Sequence, residues 1–192
     1  FQGLRLEGLR ERPTAFSCSY EDERNNDTAR VAERISPDGR RAIFGAFEGN
    51  ELVGLAGLQR EAGRKLEHKA FVWGMYVTPR YRRCGIGRRL IERVIAHAAE
   101  MPGLRRINLG VNASNAAAMA LYEAVGFKSY GVERAFLLVD GILQSQDGAM
   151  SVRLSSLGVM YAFTARCTRA SWIWTTISFV CASEAAASAT SR

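Results

Sequence analysis

At 192 residues, with 47% apolar side chains, the chain is long enough to bury one sizeable core, with room for an appendage. Its formal charge of +7 comes mainly from arginine and suits an anionic partner such as a phosphorylated cofactor, but the arginines are scattered, without the aromatic-interleaved stripe of a nucleic-acid binder. Four cysteines without a Cys-x-x-Cys pair, two histidines (His68 and His97) and no run of about 20 apolar residues lead us to expect a cytoplasmic protein with reduced thiols, no metal, no nucleic acid and no membrane partner.

The elements in chain order begin with a helix over residues 4–12, stopped by Pro13. A polar segment follows, with a second short helix expected within 20–34. Strands over 42–48 and 52–59 are joined by Gly49-Asn50, a hairpin signal. Strand 69–77 comes next, so the sheet begins antiparallel. Residues 86–100 form an amphipathic helix with Leu90, Ile91, Val94, Ile95 and Ala98 on one face. As a crossover, this helix delivers strand 106–111 parallel to strand 69–77. After the polar turn 112–115 comes a strong helix former, 116–125, which stops at Gly126. Strands 130–139 and 149–154, with a turn at Asp140-Gly141, complete the pattern. The sum is an α/β (α+β) fold, a mixed sheet with helices on both faces. Residues 155–192 are rich in Ser, Ala and Thr, with one apolar island at 172–180; we expect a poorly ordered tail, the alternatives being an edge strand, a homodimer contact or sequence from a shifted reading frame.

The most informative run is Arg82-Arg83-Cys84-Gly85-Ile86-Gly87-Arg88, between a strand and a helix. Backbone N–H groups at a helix start lack partners, and the helix dipole favours an anion there. Gly85 and Gly87 let a phosphate approach without a Cβ in the way. The spacing is neither a P-loop nor a dinucleotide fingerprint, and alone it fits a solvated arginine-rich loop equally well.

A second half lies downstream. Val77-x-Pro79-x-Tyr81-Arg82-Arg83-x-Gly85-Ile86-Gly87 is followed by Asn112-x-x-Asn115-x-x-Ala118-x-x-Leu121-Tyr122-x-x-x-Gly126-Phe127. Together, in this order and separation, they resemble the GNAT superfamily of acetyl-CoA-dependent N-acetyltransferases, over about residues 4–154. The resemblance implies a mostly antiparallel central sheet whose parallel pair, 69–77 and 106–111, splays apart around the thioester. It divides the chain into a domain 1–154 and a tail 155–192. The strand that usually precedes the family's first helix has no counterpart before residue 4.

The resemblance also implies roles. The turn Arg82, Arg83, Cys84, Gly85, Ile86, Gly87 and Arg88 would hold the coenzyme A pyrophosphate through backbone N–H groups, its arginines supplying electrostatics. Met75, Tyr76 and Val77 would pair with the pantetheine arm and polarise the carbonyl, and Asn115 would bond the cofactor. Tyr122 would touch the cofactor and give its proton to the departing thiolate; without the motif it reads as a core aromatic. Strand 69–77 lacks the family's glutamate base, and its inward candidates are Phe71, Trp73 and Met75. Glu67 and His68, a water chain, or an amine that arrives partly neutral remain as alternatives. Cys84 reads as a bystander thiol. The function implied is acetyl transfer from acetyl-CoA to the primary amine of a small molecule, amino acid or peptide. A non-catalytic acyl-CoA sensor is the alternative. The acceptor pocket is expected between segment 13–34, with Phe16, Tyr20 and Glu21, and hairpin 130–148, with Tyr130, Glu133 and Asp147.

Overall fold

The computed structural model describes residues 1–36, 38–154 and 177–181, of which 146–149 and 177–181 are described by backbone alone. Helices α1 (Gln2–Glu11), α2 (Tyr20–Glu23) and α3 (Thr28–Ile35) precede the sheet. The single helix expected within 20–34 is two, because each half carries its own cap. Ser19 and Asp22 form a reciprocal capping box, and the Asp27 carboxylate accepts from Arg30 N at 2.7 Å.

Strands β1 (Arg41–Glu48), β2 (Glu51–Arg60), β3 (Lys69–Val77), β4 (Arg106–Asn112), β5 (Lys128–Ser129), β6 (Glu133–Val139), β7 (Ile142–Arg153) and β8 (Ile177–Cys181) form one sheet. The order is β5-β7-β4-β3-β2-β1-β8, with β6 also on β7. Among the described residues only β3 and β4 pair in parallel; the other ladders are antiparallel. Asp140 and Gly141, at φ 49° and 76°, make the two-residue turn of the β6–β7 hairpin. Both positive angles suit a type I′ turn. The second strand starts straight after it at 142 rather than at 149, since the tight turn lets the ladder continue from Val139↔Ile142. At the far edge, residues 177–181 pair with β1, so this part of the apolar island takes the edge-strand alternative. Residues 155–176 and 182–192 lie outside the described residues.

Helices cover both faces. On one, α4 (Ile86–Glu100) buries Ile86, Leu90, Ile91, Val94, Ile95 and Ala98 against the sheet. α5 (Ala116–Ala124) adds Tyr122 to the same core. On the other, Leu4 and Leu9 of α1 pack with Phe16, Leu55 and Tyr76. This face also buries an ion pair: Arg5 donates to both Glu23 oxygens, at 2.7 and 3.1 Å, and Arg34 approaches Glu23 at 3.1 Å. Burial pushes the Glu23 carboxyl up, but the two arginines outweigh it and hold the group below its usual range.

The feature that positions the site is a bulge in β3. Trp73 lies opposite Gly57 and Tyr76 opposite Leu55, so Gly74 and Met75 together face Ala56 alone. Gly74 takes φ +68°, open to glycine without strain. The extra residue reverses the side-chain alternation. Ala70 and Val72 enter the α4 core, yet Tyr76 enters the α1 core, and Met75 and Val77 join the α4 side. Trp73 and Met75, read from the sequence as one inward row with Phe71, therefore point to opposite faces.

Candidate active site

β3 and β4 pair only from Lys69↔Arg106 to Val72↔Leu109. Beyond that they part, each held by its outer neighbour: β3 stays with β2 to Val77, and β4 stays with β7 to Asn112. A cavity of about 750 Å³ opens in the gap. Met75, Tyr76, Val77, Arg82, Arg83, Gly85, Gly87, Arg88, Asn115 and Tyr122 all line it, which brings ten of the residues singled out in the sequence to one place. Cys84 and Ile86 do not: Cys84 is an exposed thiol, and Ile86 is buried in the α4 core.

The turn has the geometry of a helix-start anion cradle. Gly85 is the N-cap of α4 at φ +76°, and Arg83 is also left-handed at φ 61°. After Arg82, the next N–H bonded to a backbone carbonyl is that of Arg89, which donates to Gly85 O at 3.0 Å. The donors between are the ones a helix start leaves for a ligand. A Cβ on Gly87 would lie 3.3 Å from Leu121 Cδ2, so this glycine also lets α5 approach α4 closely.

Two of the three arginines are already occupied. Arg82 donates through Nε to Val77 O at 2.8 Å and makes a bidentate pair with Glu11 at 2.6 and 2.5 Å. It thereby ties the end of α1 to the end of β3. Glu11 is held well below the usual carboxylate range, at about 2, chiefly by this arginine. The Tyr76 hydroxyl donates to the same Glu11 at 2.6 Å and has a Glu7 oxygen 3.0 Å away; burial and these carboxylates raise its pKa. The Tyr76 ring belongs to the α1 core, and the residue also lines the cavity. Arg88 donates to Glu92 at 2.8 Å, one helical turn on.

Across the gap, the Asn115 side-chain oxygen caps α5 by accepting from Ala118 N at 3.2 Å, which leaves its amide NH2 as the donor of that side chain. Tyr122 is 6% exposed, its ring 5.9 Å from that of Phe127. Burial pushes its phenol up to about 12.

Both segments expected around the acceptor, 13–34 and 130–148, line the cavity, but largely through other residues than those singled out. Phe16 lines the cavity, but Tyr20 does not; its ring carries the Arg10 guanidinium at 4.2 Å. Glu21, Tyr130 and Glu133 are absent from the described lining, and the Asp147 side chain lies outside the described residues. The hairpin contributes Phe136, Leu137, Gln144 and Ser145 instead. Glu67 and His68 do not line the cavity either. Among the described residues its ionisable walls are six arginines (5, 12, 34, 82, 83 and 88), with tyrosines and Cys18, and no carboxylate, lysine or histidine. Arg5 and Arg34 went unread in the sequence because nothing local distinguishes a surface arginine from one drawn inward by a distant Glu23; Arg12, paired with its neighbour Glu11, stays largely exposed.

The family model for the acetyltransferase (GNAT) family matches residues 8–127. An uncharacterized N-acetyltransferase of Mycobacterium tuberculosis is 38% identical over 114 residues, 59% of this chain and 69% of its own length. The N-alpha-acetyltransferase RimI of the same organism is 39% identical over 97 residues, 50% of this chain and 58% of that protein. Among solved structures, a ribosomal-protein-alanine N-acetyltransferase from Brucella melitensis superposes with a TM-score of 0.68 at 22% identity, over 79% of this chain and 91% of that one.

Proposed function

The chain belongs to the acetyltransferase (GNAT) family, and on that premise we propose that this acetyl-CoA-dependent N-acetyltransferase modifies the terminal α-amine of a polypeptide. The observation that carries the choice of amine is the cavity wall, with six arginines and no carboxylate or histidine among the described residues. Among the described residues such a wall offers no carboxylate or imidazole to deprotonate an ammonium. An α-amine, with a pKa near 7.8, is about a quarter neutral at pH 7.4, whereas a lysine side chain is about one part in a thousand neutral. The α-amine arrives ready to attack, and water accepts its second proton. The names of the RimI relative and of the Brucella structure agree with a protein α-amine.

The remaining roles follow from the walls. Acetyl-CoA supplies an activated thioester. The N–H groups of residues 83–88 hold its pyrophosphate, with the free Arg83 and the paired Arg82 and Arg88 adding attraction. The β3 edge released beyond Val72 offers backbone donors and acceptors to the pantetheine arm from Met75 to Val77. The bulge at Gly74 and Met75 turns a backbone N–H toward the acetyl carbonyl, where charge develops during attack. Asn115 bonds the arm from the opposite wall. Tyr122, protonated throughout the neutral range, donates to the departing thiolate.

A panel of peptides tests the acceptor, with coenzyme A thiol release as the readout. Peptides with a free N-terminus should turn over. The same peptides blocked at the N-terminus but carrying lysine should not. The pH profile of kcat/KM should rise with the α-amine of the peptide rather than with a group on the protein. Faster turnover of the blocked lysine peptide would overturn the assignment.

A further inference from the structure

A second cleft of about 680 Å³ lies beside the first. Four residues, Cys18, Arg34, Phe71 and Trp73, line both. They form the partition, and Trp73 is its largest member. It immediately precedes the Gly74–Met75 bulge and lines the first cavity as well as the second. Two contacts fix it. Its six-membered ring lies on Gly57 of β2, where even an added Cβ would come within 2.3 Å of Trp73 Cε2. The Arg34 guanidinium covers it at 5.1 Å, held there by the 3.1 Å ion pair with the buried Glu23. A ring clamped between a glycine and an ion-paired arginine cannot swing aside without breaking that packing.

We infer that Trp73 is the specificity-determining residue that limits the size of the group attached to the reacting amine. This rests on the α-amine reading, in which that group is the first side chain of the acceptor. A small side chain fits between the bulge and the indole. A bulky one must displace the indole toward the second cleft. Replacing the indole by a methyl joins the two clefts and removes the limit.

The test uses the full chain and three peptides that differ only in their first residue: Ala, Leu or Trp. Steric discrimination of this kind is worth roughly 10- to 200-fold in kcat/KM. The wild-type protein should prefer Ala over Trp by at least about 10-fold. Trp73→Ala should shrink that preference by about 10-fold or more, Trp73→Phe by less. Coenzyme A affinity, measured by calorimetry, should stay at the wild-type value in both, which also shows that they are folded. Gly57→Ala, which pushes on the indole from outside the cavity, should shift the same ratio. Unchanged ratios in folded Trp73→Phe and Gly57→Ala would overturn the assignment even if Trp73→Ala fails to fold, and so would a wild-type protein that takes Trp as readily as Ala. A wild-type protein that acetylates no peptide would remove the α-amine reading alone. A series of small amines of increasing bulk would then decide the role of Trp73 by the same ratios.

Discussion

Tyr122 is buried, and burial pushes its phenol up to about 12, so it keeps its proton across the neutral range. Tyr122→Phe retains the ring against Phe127 and removes only that proton. Turnover should fall by about 10²- to 10⁴-fold, with the acetyl-CoA dissociation constant nearly unchanged, in single-turnover and binding measurements. An acyl donor with a more acidic leaving thiol should show a smaller deficit. Cys84 is exposed in the same turn without lining the cavity. Cys84→Ala should keep activity and lose the sensitivity to iodoacetamide expected of the wild type. Glu11 titrates at about 2 in the folded protein against 4.5 as an ordinary carboxylate, because Arg82 prefers its charged form. Its folded pKa is the lower one, so its contribution is present above pH 4.5 and is lost as the pH falls toward 2. Denaturant melts between pH 2.5 and 6 should be flatter for Glu11→Gln than for the wild type.

The junction of β3 with α4 concentrates the element-scale expectations. Gly85 sits at φ +76°, where any side chain adds about 1–2 kcal/mol of strain. Gly87 has an ordinary backbone, but its Cβ would press on Leu121 of α5 at 3.3 Å. Gly85→Val and Gly87→Val should therefore abolish coenzyme A binding by different routes, the first by distorting the cradle and the second by crowding both the anion position and α5. Calorimetry on folded variants checks both. The α4 face bears on stability instead. Ile95 is fully buried, and Ile95→Ala should cost about 2–5 kcal/mol in denaturant unfolding, with binding retained in the folded fraction.

At the scale of the molecule, the sheet does not end with residue 154. β8 covers the outer edge of β1 from Phe44↔Cys181 to Glu48↔Ile177. β1 is buried on both faces for most of its length, so its packing does not depend on this neighbour. A chain truncated after Leu154 should fold and bind coenzyme A. It should also expose the β1 edge as a pairing template, and light scattering should show more self-association than in the full chain.

Periodicity and turn chemistry placed β3, α4, β4 and α5 to within a residue, because each is a strongly patterned segment closed by a local signal such as Gly85 or Asn115. The split motif around Gly85 and Tyr122 assigned the family for a similar reason: an anion cradle and a helix cap are built from consecutive residues. What the sequence could not carry was anything that depends on a distant partner. The bulge at Gly74 exists only against Ala56 of β2, and it alone decides that Trp73 and Met75 face opposite ways. Arg5 and Arg34 turn inward only because Glu23 folds between them, and Arg82 closes on Glu11 across 71 residues. Local segments are fixed by short-range sterics and hydrogen bonds written in neighbouring residues. The walls of the cavity are fixed by long-range charge pairing and sheet register, which no local pattern encodes.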